Sequence, residues 1–264
     1  MAEAKTIIAN KPGWADLSSA DAAASRDFYT RLFGWEADVF PDPQAGGYAM
    51  FKRDGKEVAG VGPRQSDQQP TAWTIYIMVD DADATAQKAT AAGGTVIAAP
   101  FDVMDAGRMA VVADPSGAVF GIWQAGTHAG WEVEGVTGSV CWVELTSHNF
   151  DAAQKFYTDV FGWVARRSEM STPDMVYTTF SFNPDDNGFA GGMQAPESMP
   201  DAAPSYWQPY IATTNVDEVT AKAKELGATA IVEPADIPTV GRFAIIQDPL
   251  GAIFGLLQPL PQTG

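Results

Sequence analysis

DVMDAGRMAVVADPSGAVFGIWQ, residues 102–124, returns as DIPTVGRFAIIQDPLGAIFGLLQ at 236–258. At this offset of 134 residues, 11 of the 23 positions are identical. A second echo lies upstream at an offset of 128: RDFYTRLFGW (26–35) against QKFYTDVFGW (154–163). Shared punctuation over such lengths marks two copies of one folded module. Where the copies agree, the fold dictates the residue. Where they differ, the two copies are free to differ in task.

Outward from these stretches the chain divides again, into four shorter repeats: 12–65, 72–127, 138–195 and 204–260. SDQQP (66–70) and APESMPDAAP (195–204) separate the repeats within a module, and HAGWEVEGVT (128–137) links the modules. The expected domains are therefore 12–127 and 138–260. Each repeat opens with a short alternating run: WADL (14–17), WTIYIMV (73–79), VCWVEL (140–145) and YWQPYIAT (206–213). That is strand patterning. A helix is predicted next. In the first repeat Asp21 is its N-cap, Ala24, Phe28, Leu32 and Phe33 fall near one face, and Gly34 ends it. In the third, Asn149 or Asp151 starts the helix, Ala153, Phe156 and Val160 follow, and Gly162 ends it. DADATAQKATAAG and NVDEVTAKAKELG are the other two helices, stopped by Gly93 and Gly227. Further strands follow, such as MAVVAD and VFGIWQ joined by the DPSG turn. Each repeat reads strand, helix, then three strands.

Composition bounds the function. With 46% hydrophobic and 19% charged residues, the 264-residue chain can fill a core. A formal charge of −17 speaks against nucleic acid and anionic membrane surfaces, which call for Lys and Arg. Cys141 is the only cysteine, so no intrachain disulfide forms, and a reducing, cytoplasmic setting is expected. No apolar run approaches the ~20 residues of a membrane span, and the first residues lack the long apolar stretch of a secretory signal. Phosphate-binding GxxxxGK[ST], GxSxG and HExxH motifs do not occur.

Four βαβββ repeats, with FY…FGW in the first and third and GR.A…DP.GA.FG in the second and fourth, resemble the vicinal oxygen chelate superfamily. That group includes glyoxalase I, extradiol dioxygenases and the fosfomycin- and bleomycin-resistance proteins. The resemblance covers roughly 12–260 and is similar in detail to tandem actinobacterial glyoxalase-like proteins often called hydroxylases, some from aromatic polyketide pathways. It implies an α+β fold: four βαβββ units forming two glyoxalase-like modules, with curved mixed sheets and helices outside. It also implies a cavity that often holds a divalent metal, on a first-strand His and a last-strand Glu. The family His precedes the FY pair by 14 positions, which here gives Trp14 and Trp142. The matching positions on the other first strands are Thr74 and Gln208. The family Glu falls four residues after the turn glycine, at Gly121 and Gly255. None of these is an imidazole or carboxylate. The two histidines, His128 in the linker and His148 after a strand, stand away from the ligand positions. No metal and no cofactor are expected.

Strand alternation then says what shares the cavity face: Trp14 with Asp16, Trp142 with Glu144, Thr74 with Tyr76, Gln208 with Tyr210, and Gly121 with Trp123. Gly121, lacking the family side chain, is expected to leave space. An indole-walled slot with few polar anchors suits a flat aromatic ligand. The same tryptophans read equally as core filling. An inward carboxylate at Asp16 or Glu144 would act as general base or orient a hydroxyl. It reads equally as a structural acid. Trp35, Trp73, Trp163 and Trp207 recur at matched positions and are expected in the core. Arg108 and Arg242 are expected to tether Asp102 and Asp236, His148 to cap a helix or lie at the surface, and Cys141 to be chemically quiet.

Two readings stay open. The first is a metal-independent binder of a planar aromatic or polyketide-type metabolite, serving sequestration, self-resistance or an accessory role. The second is a metal-free enzyme of the same fold, a cofactor-independent oxygenase, cyclase or isomerase, with Asp16 or Glu144 as base. A glyoxalase-type lyase fits poorly without the histidines. The partner is a small molecule, the protein a monomer or homodimer. Because Trp123 is matched by Leu257, the first module is expected to bind better.

Overall fold

A computed structural model describes residues 7–172 and 175–260. The first repeat is β1 (Pro12–Ser19), α1 (Ala22–Phe33), β2 (Glu36–Val39), β3 (Ala49–Arg53) and β4 (Lys56–Pro63). The second is β5 (Ala72–Met78), α2 (Ala82–Ala91), β6 (Thr95–Val103), β7 (Gly107–Ala113) and β8 (Val119–Ala125). The third is β9 (Val140–Ser147), α3 (Phe150–Phe161), β10 (Val164–Arg167), β11 (Tyr177–Ser181) and β12 (Ala190–Gln194). The fourth is β13 (Tyr206–Ala212), α4 (Val216–Glu225), β14 (Thr229–Ile237), β15 (Gly241–Gln247) and β16 (Ile253–Pro259). The strands form two eight-stranded mixed sheets, ordered β2-β3-β4-β1-β5-β8-β7-β6 and β10-β11-β12-β9-β13-β16-β15-β14. In every repeat the first strand pairs parallel with the last, and the remaining pairs are antiparallel. A parallel pair needs a crossover, and the helix supplies part of it. The α+β reading holds.

The helix ends follow the local chemistry. Asp21 accepts from the amides of Ala23 and Ala24, and Gly34 closes α1 in the left-handed conformation at φ 72°. Asn149, rather than Asp151, caps α3, and Gly162 ends it at φ 71°. The buried stripe of α1 is Ser25, Phe28, Tyr29 and Leu32, one position round from the predicted face. Ala24 is exposed, because Ser25 turns inward to bond Ser19 at 2.8 Å.

By compactness the chain separates into two units that cut across the sequence repeats. Among the described residues, one holds 7–14 with Ile75–Gly130 and Val143–Trp207; the other holds Ala15–Thr74, Trp131–Trp142 and 208–260. The two sequence motifs meet inside each unit. In the first unit Phe120, beside the DPSG turn, packs on Phe156, Tyr157 and Phe161 of α3. Trp207 Nε1 donates to the Tyr157 hydroxyl at 2.7 Å, which donates to Asp114 at 3.1 Å. In the second unit Phe254 packs on Phe28, Tyr29 and Phe33 of α1. There Trp73 donates to Tyr29 and Tyr29 to Asp248, both at 3.1 Å. The FY pair and the DP turn recur together because each is the other's packing partner. Burial raises the carboxyls of Asp114 and Asp248 above their ordinary range and holds both phenols neutral.

The remaining expected core residues are there. Trp35 and Trp163 are buried and donate to the carbonyls of Gly138 and Asn10. Arg108 bonds Asp102 at 2.9 Å and also grips Asp83 in the first turn of α2; Arg242 repeats this with Asp236 and Asp217. These pairs are at the surface, where each arginine tethers its last-but-one strand to the helix and the neighbouring strand.

Candidate functional site

The candidate residues sit where each first strand runs beside each last strand. The registers are Asp16 against Gly60, Tyr76 against Gly121, Glu144 against Gly191, and Tyr210 against Gly255. Four repeats thus give one rule: a functional-looking side chain on the first strand faces a glycine on the last. The glycines explain themselves sterically. A Cβ on Gly121 would collide with the Tyr76 ring, and one on Gly255 with the Tyr210 ring. A Cβ on Gly60 would strike the Asp16 carboxylate and the Tyr48 hydroxyl, and one on Gly191 the Tyr177 hydroxyl. Gly121 therefore leaves no open slot, contrary to the expectation from sequence. The neighbouring tyrosine lies across it.

In the first unit the aromatic residues form a cluster. Trp14 meets His128 edge-on with ring centroids 4.4 Å apart; Trp123 meets His128 at 5.7 Å and Tyr76 at 6.3 Å. The Trp123 Nε1 donates to the His128 carbonyl at 3.0 Å. The end of the second repeat and the start of the linker are tied down here by the amides of Gly126 and His128 on the Ala106 carbonyl. That fold-back brings His128, set aside in the sequence as a linker residue, onto the tryptophan. Trp14 is 3% and Trp123 7% exposed, whereas Trp142 and Leu257, their counterparts in the second module, are half-buried. In the second unit Gln208 and Tyr210 are buried and bonded at 3.2 Å, and Thr74 is half-buried.

Each carboxylate has a tyrosine. The Tyr48 hydroxyl donates to Asp16 Oδ1 at 2.7 Å, and the Tyr177 hydroxyl to Glu144 Oε2 at 2.9 Å. Asp16 is half-buried, and Glu144 is 5% exposed. Burial of a carboxylate is costly without donors, and a phenol supplies one. The tyrosines were missed in the sequence. The signal was present: YAMF (48–51) and YTTF (177–180) sit at matched places in the two repeats.

The other singled-out groups are structural. His148 Nε2 bonds the Ala203 carbonyl at 2.7 Å. The Cys141 thiol donates to the Tyr210 carbonyl, and burial pushes it up to about 12.

The model of the Glyoxalase/Bleomycin resistance protein/Dioxygenase superfamily matches residues 11–122 and 139–256. The chain belongs to this superfamily. It is 41% identical over 255 residues to the Mycobacterium tuberculosis protein CFP32, covering 95% of both chains. It is 41% identical over 262 residues to the anthracycline biosynthesis protein DnrV of Streptomyces peucetius, covering 94% of this chain and 92% of that one. Among solved structures, the Mn(II)-bound glyoxalase from Novosphingobium aromaticivorans matches with a TM-score of 0.67 at 20% identity, covering 97% of this chain and 84% of that one. The 2,3-dioxygenase LapB from Pseudomonas sp. KL28 matches with a TM-score of 0.65 at 15% identity, covering 96% and 95%. At these identities the structures share the fold alone.

The superfamily implies a divalent metal, and the residues here do not fit one. The six positions carry two indoles, a threonine, a glutamine and two glycines. Among the described residues no three or more His, Cys, Asp or Glu side chains stand together as a metal-holding group. Borderline and hard cations need such donors. No helix among the described residues is long and apolar enough to cross a membrane.

Proposed function

We propose that this protein binds a planar aromatic metabolite of polyketide type without a metal, for sequestration, self-resistance or an accessory step in a biosynthetic pathway. One observation carries the reading: an indole and a carboxylate alternate along the first strand of each module, Trp14 with Asp16 and Trp142 with Glu144, where the family keeps its metal donors. Indoles supply flat apolar surface, and a carboxylate accepts from a ligand hydroxyl or amine. The relationship to DnrV, named for anthracycline biosynthesis, supports a polycyclic ligand. The modules 12–127 and 138–260, a cytoplasmic site of action and a monomer or homodimer complete the reading.

The carboxylate–tyrosine pairs favour a second reading, a metal-free enzyme with Asp16 or Glu144 as general base. A titration of chelator-treated protein with a hydroxyanthraquinone separates the two. Tryptophan fluorescence reports binding, and mass spectrometry reports the ligand. Saturable quenching with unchanged ligand supports the binder. Turnover that is lost in Asp16→Asn or Glu144→Gln supports the enzyme. No quenching and no turnover across a panel of polycyclic aromatics would sink both.

A further inference from the structure

We propose that Asn187 and Gly188 form a self-modifying site, at which the chain converts its own asparagine into aspartate and isoaspartate without an enzyme. The site lies in the connection between β11 and β12 and stands independently of any bound ligand.

The chemistry needs an accessible asparagine, a following amide nitrogen within its reach, and water. The Gly188 nitrogen attacks the side-chain carbonyl carbon of Asn187. A new C–N bond forms, the side-chain amide C–N bond breaks, and ammonia leaves with the proton of the Gly188 amide. The product is a five-membered succinimide. Water then opens it at one of its two carbonyls. Opening at the main-chain carbonyl gives isoaspartate, whose backbone runs through an extra methylene. Opening at the side-chain carbonyl gives aspartate. No electrons are gained or lost, and water is the sole co-reactant.

Sequence and structure single out this asparagine among the five in the chain. Asn187 alone is followed by glycine, and a residue without a Cβ leaves the approach to its nitrogen open. Asn187 is exposed, in a stretch that is neither helix nor strand, and among the described residues no hydrogen bond holds its side chain. Gly188 stands at φ 86°, a conformation that strains other residues, so the turn itself keeps glycine there. The other asparagines are restrained. Asn149 and Asn215 spend their side-chain oxygens on the Ala152 and Glu218 amides as helix caps. Asn183 donates to Asp186 at 3.0 Å and precedes Pro184, whose nitrogen carries no proton. Asn10 is followed by Lys11, and its amide and carbonyl bond Met78 and Trp163, each at 2.6 Å.

The loop is anchored on either side of the reacting pair. Arg166 donates to the carbonyls of Pro184 and Asp186 at 3.0 and 3.5 Å, and Phe182 packs on Phe189 with ring centroids 4.8 Å apart. In the first module the matching connection, between β3 and β4, is Asp54–Gly55. The fold therefore already accepts an acid before glycine in this hairpin, and conversion of Asn187 brings the second module to the same charge.

The full chain, native throughout, is aged at pH 8 and at pH 5. Peptide mapping by mass spectrometry reads conversion at each asparagine, and a carboxyl methyltransferase specific for isoaspartate counts that product. At pH 8 Asn187 is expected to convert at least about tenfold faster than any other asparagine, because the attacking nitrogen is already in place and unshielded. Both products should form, and conversion should slow at pH 5, where the amide nitrogen gives up its proton less readily. Asn187→Gln, in which attack must close a larger ring, should lose the fast conversion with an unchanged melting temperature. An Asn187 that persists in the native chain while it converts in the urea-unfolded chain would overturn the site. Equal conversion at all five asparagines would do the same, as would aspartate formed without isoaspartate, the mark of direct hydrolysis.

Discussion

Tyr157→Phe removes one oxygen from the middle of a buried chain of hydrogen bonds. The hydroxyl accepts from Trp207 Nε1 at 2.7 Å and donates to Asp114 at 3.1 Å. Without it the indole N–H has lost this partner, at about 1–3 kcal/mol, and the carboxylate loses a bond of about 1.5–3 kcal/mol. Part is recovered, because Phe carries no hydroxyl to desolvate and Asp114 keeps its bonds from Ser116 and Ala118. The net loss is about 2–4 kcal/mol. For chains of this size each kcal/mol lowers the melting temperature by roughly 2–4 °C, so a fall of about 5–15 °C is expected by differential scanning calorimetry. Tyr29→Phe should cost slightly less, since its indole donor stands at 3.1 Å. A Tyr157→Phe protein melting within about 1 °C of the parent would refute the claim that this hydroxyl locks helix to turn.

Asp114 and Asp248 set a pH dependence. Burial raises both carboxyls in the folded state, so their contribution to stability is full below the ordinary carboxylate range and is lost as pH rises through the folded values. The Asp114→Asn/Asp248→Asn protein should therefore gain less stability than the parent on acidification from pH 7 toward 5; parallel Tm–pH curves would contradict this. Cys141, pushed up to about 12, should react with a thiol reagent at pH 8 roughly a thousandfold more slowly in native protein than in denaturant, and rapid native labelling would contradict a thiol held in its protonated form. Gly121→Ala drives a methyl into the Tyr76 ring and should cost about 1–3 kcal/mol, with Tyr76→Ala/Gly121→Ala recovering part of it; a neutral Gly121→Ala would mean that the ring lies elsewhere.

Much of the fold was legible because its signals are local. Asp21, Gly34 and Gly162 announce helix ends through capping and left-handed conformation, and the duplicated DP turn and FY pair count the repeats. The site was legible only by position. Strand alternation reaches Trp14 and Asp16, but it does not reveal that Tyr48, more than thirty residues on, bonds that acid. That contact depends on pairing across β1, β4 and β3, a non-local event. Gly121 misled for the same reason: the missing side chain reads as space until the strand beside it is known, and then Tyr76 fills it. His128 was read as linker because nothing near it in sequence shows that the chain folds back onto Trp14 and Trp123.

The central claim is that these first strands hold an aromatic ligand where relatives in fold hold a metal. It is tested most directly by titrating one hydroxyanthraquinone into chelator-stripped protein and into protein incubated with Mn(II), with elemental analysis of both samples. The account predicts the same affinity in each, loss of binding in Trp142→Ala, and no stoichiometric manganese. Binding that appears only with manganese held at one ion per site would contradict it.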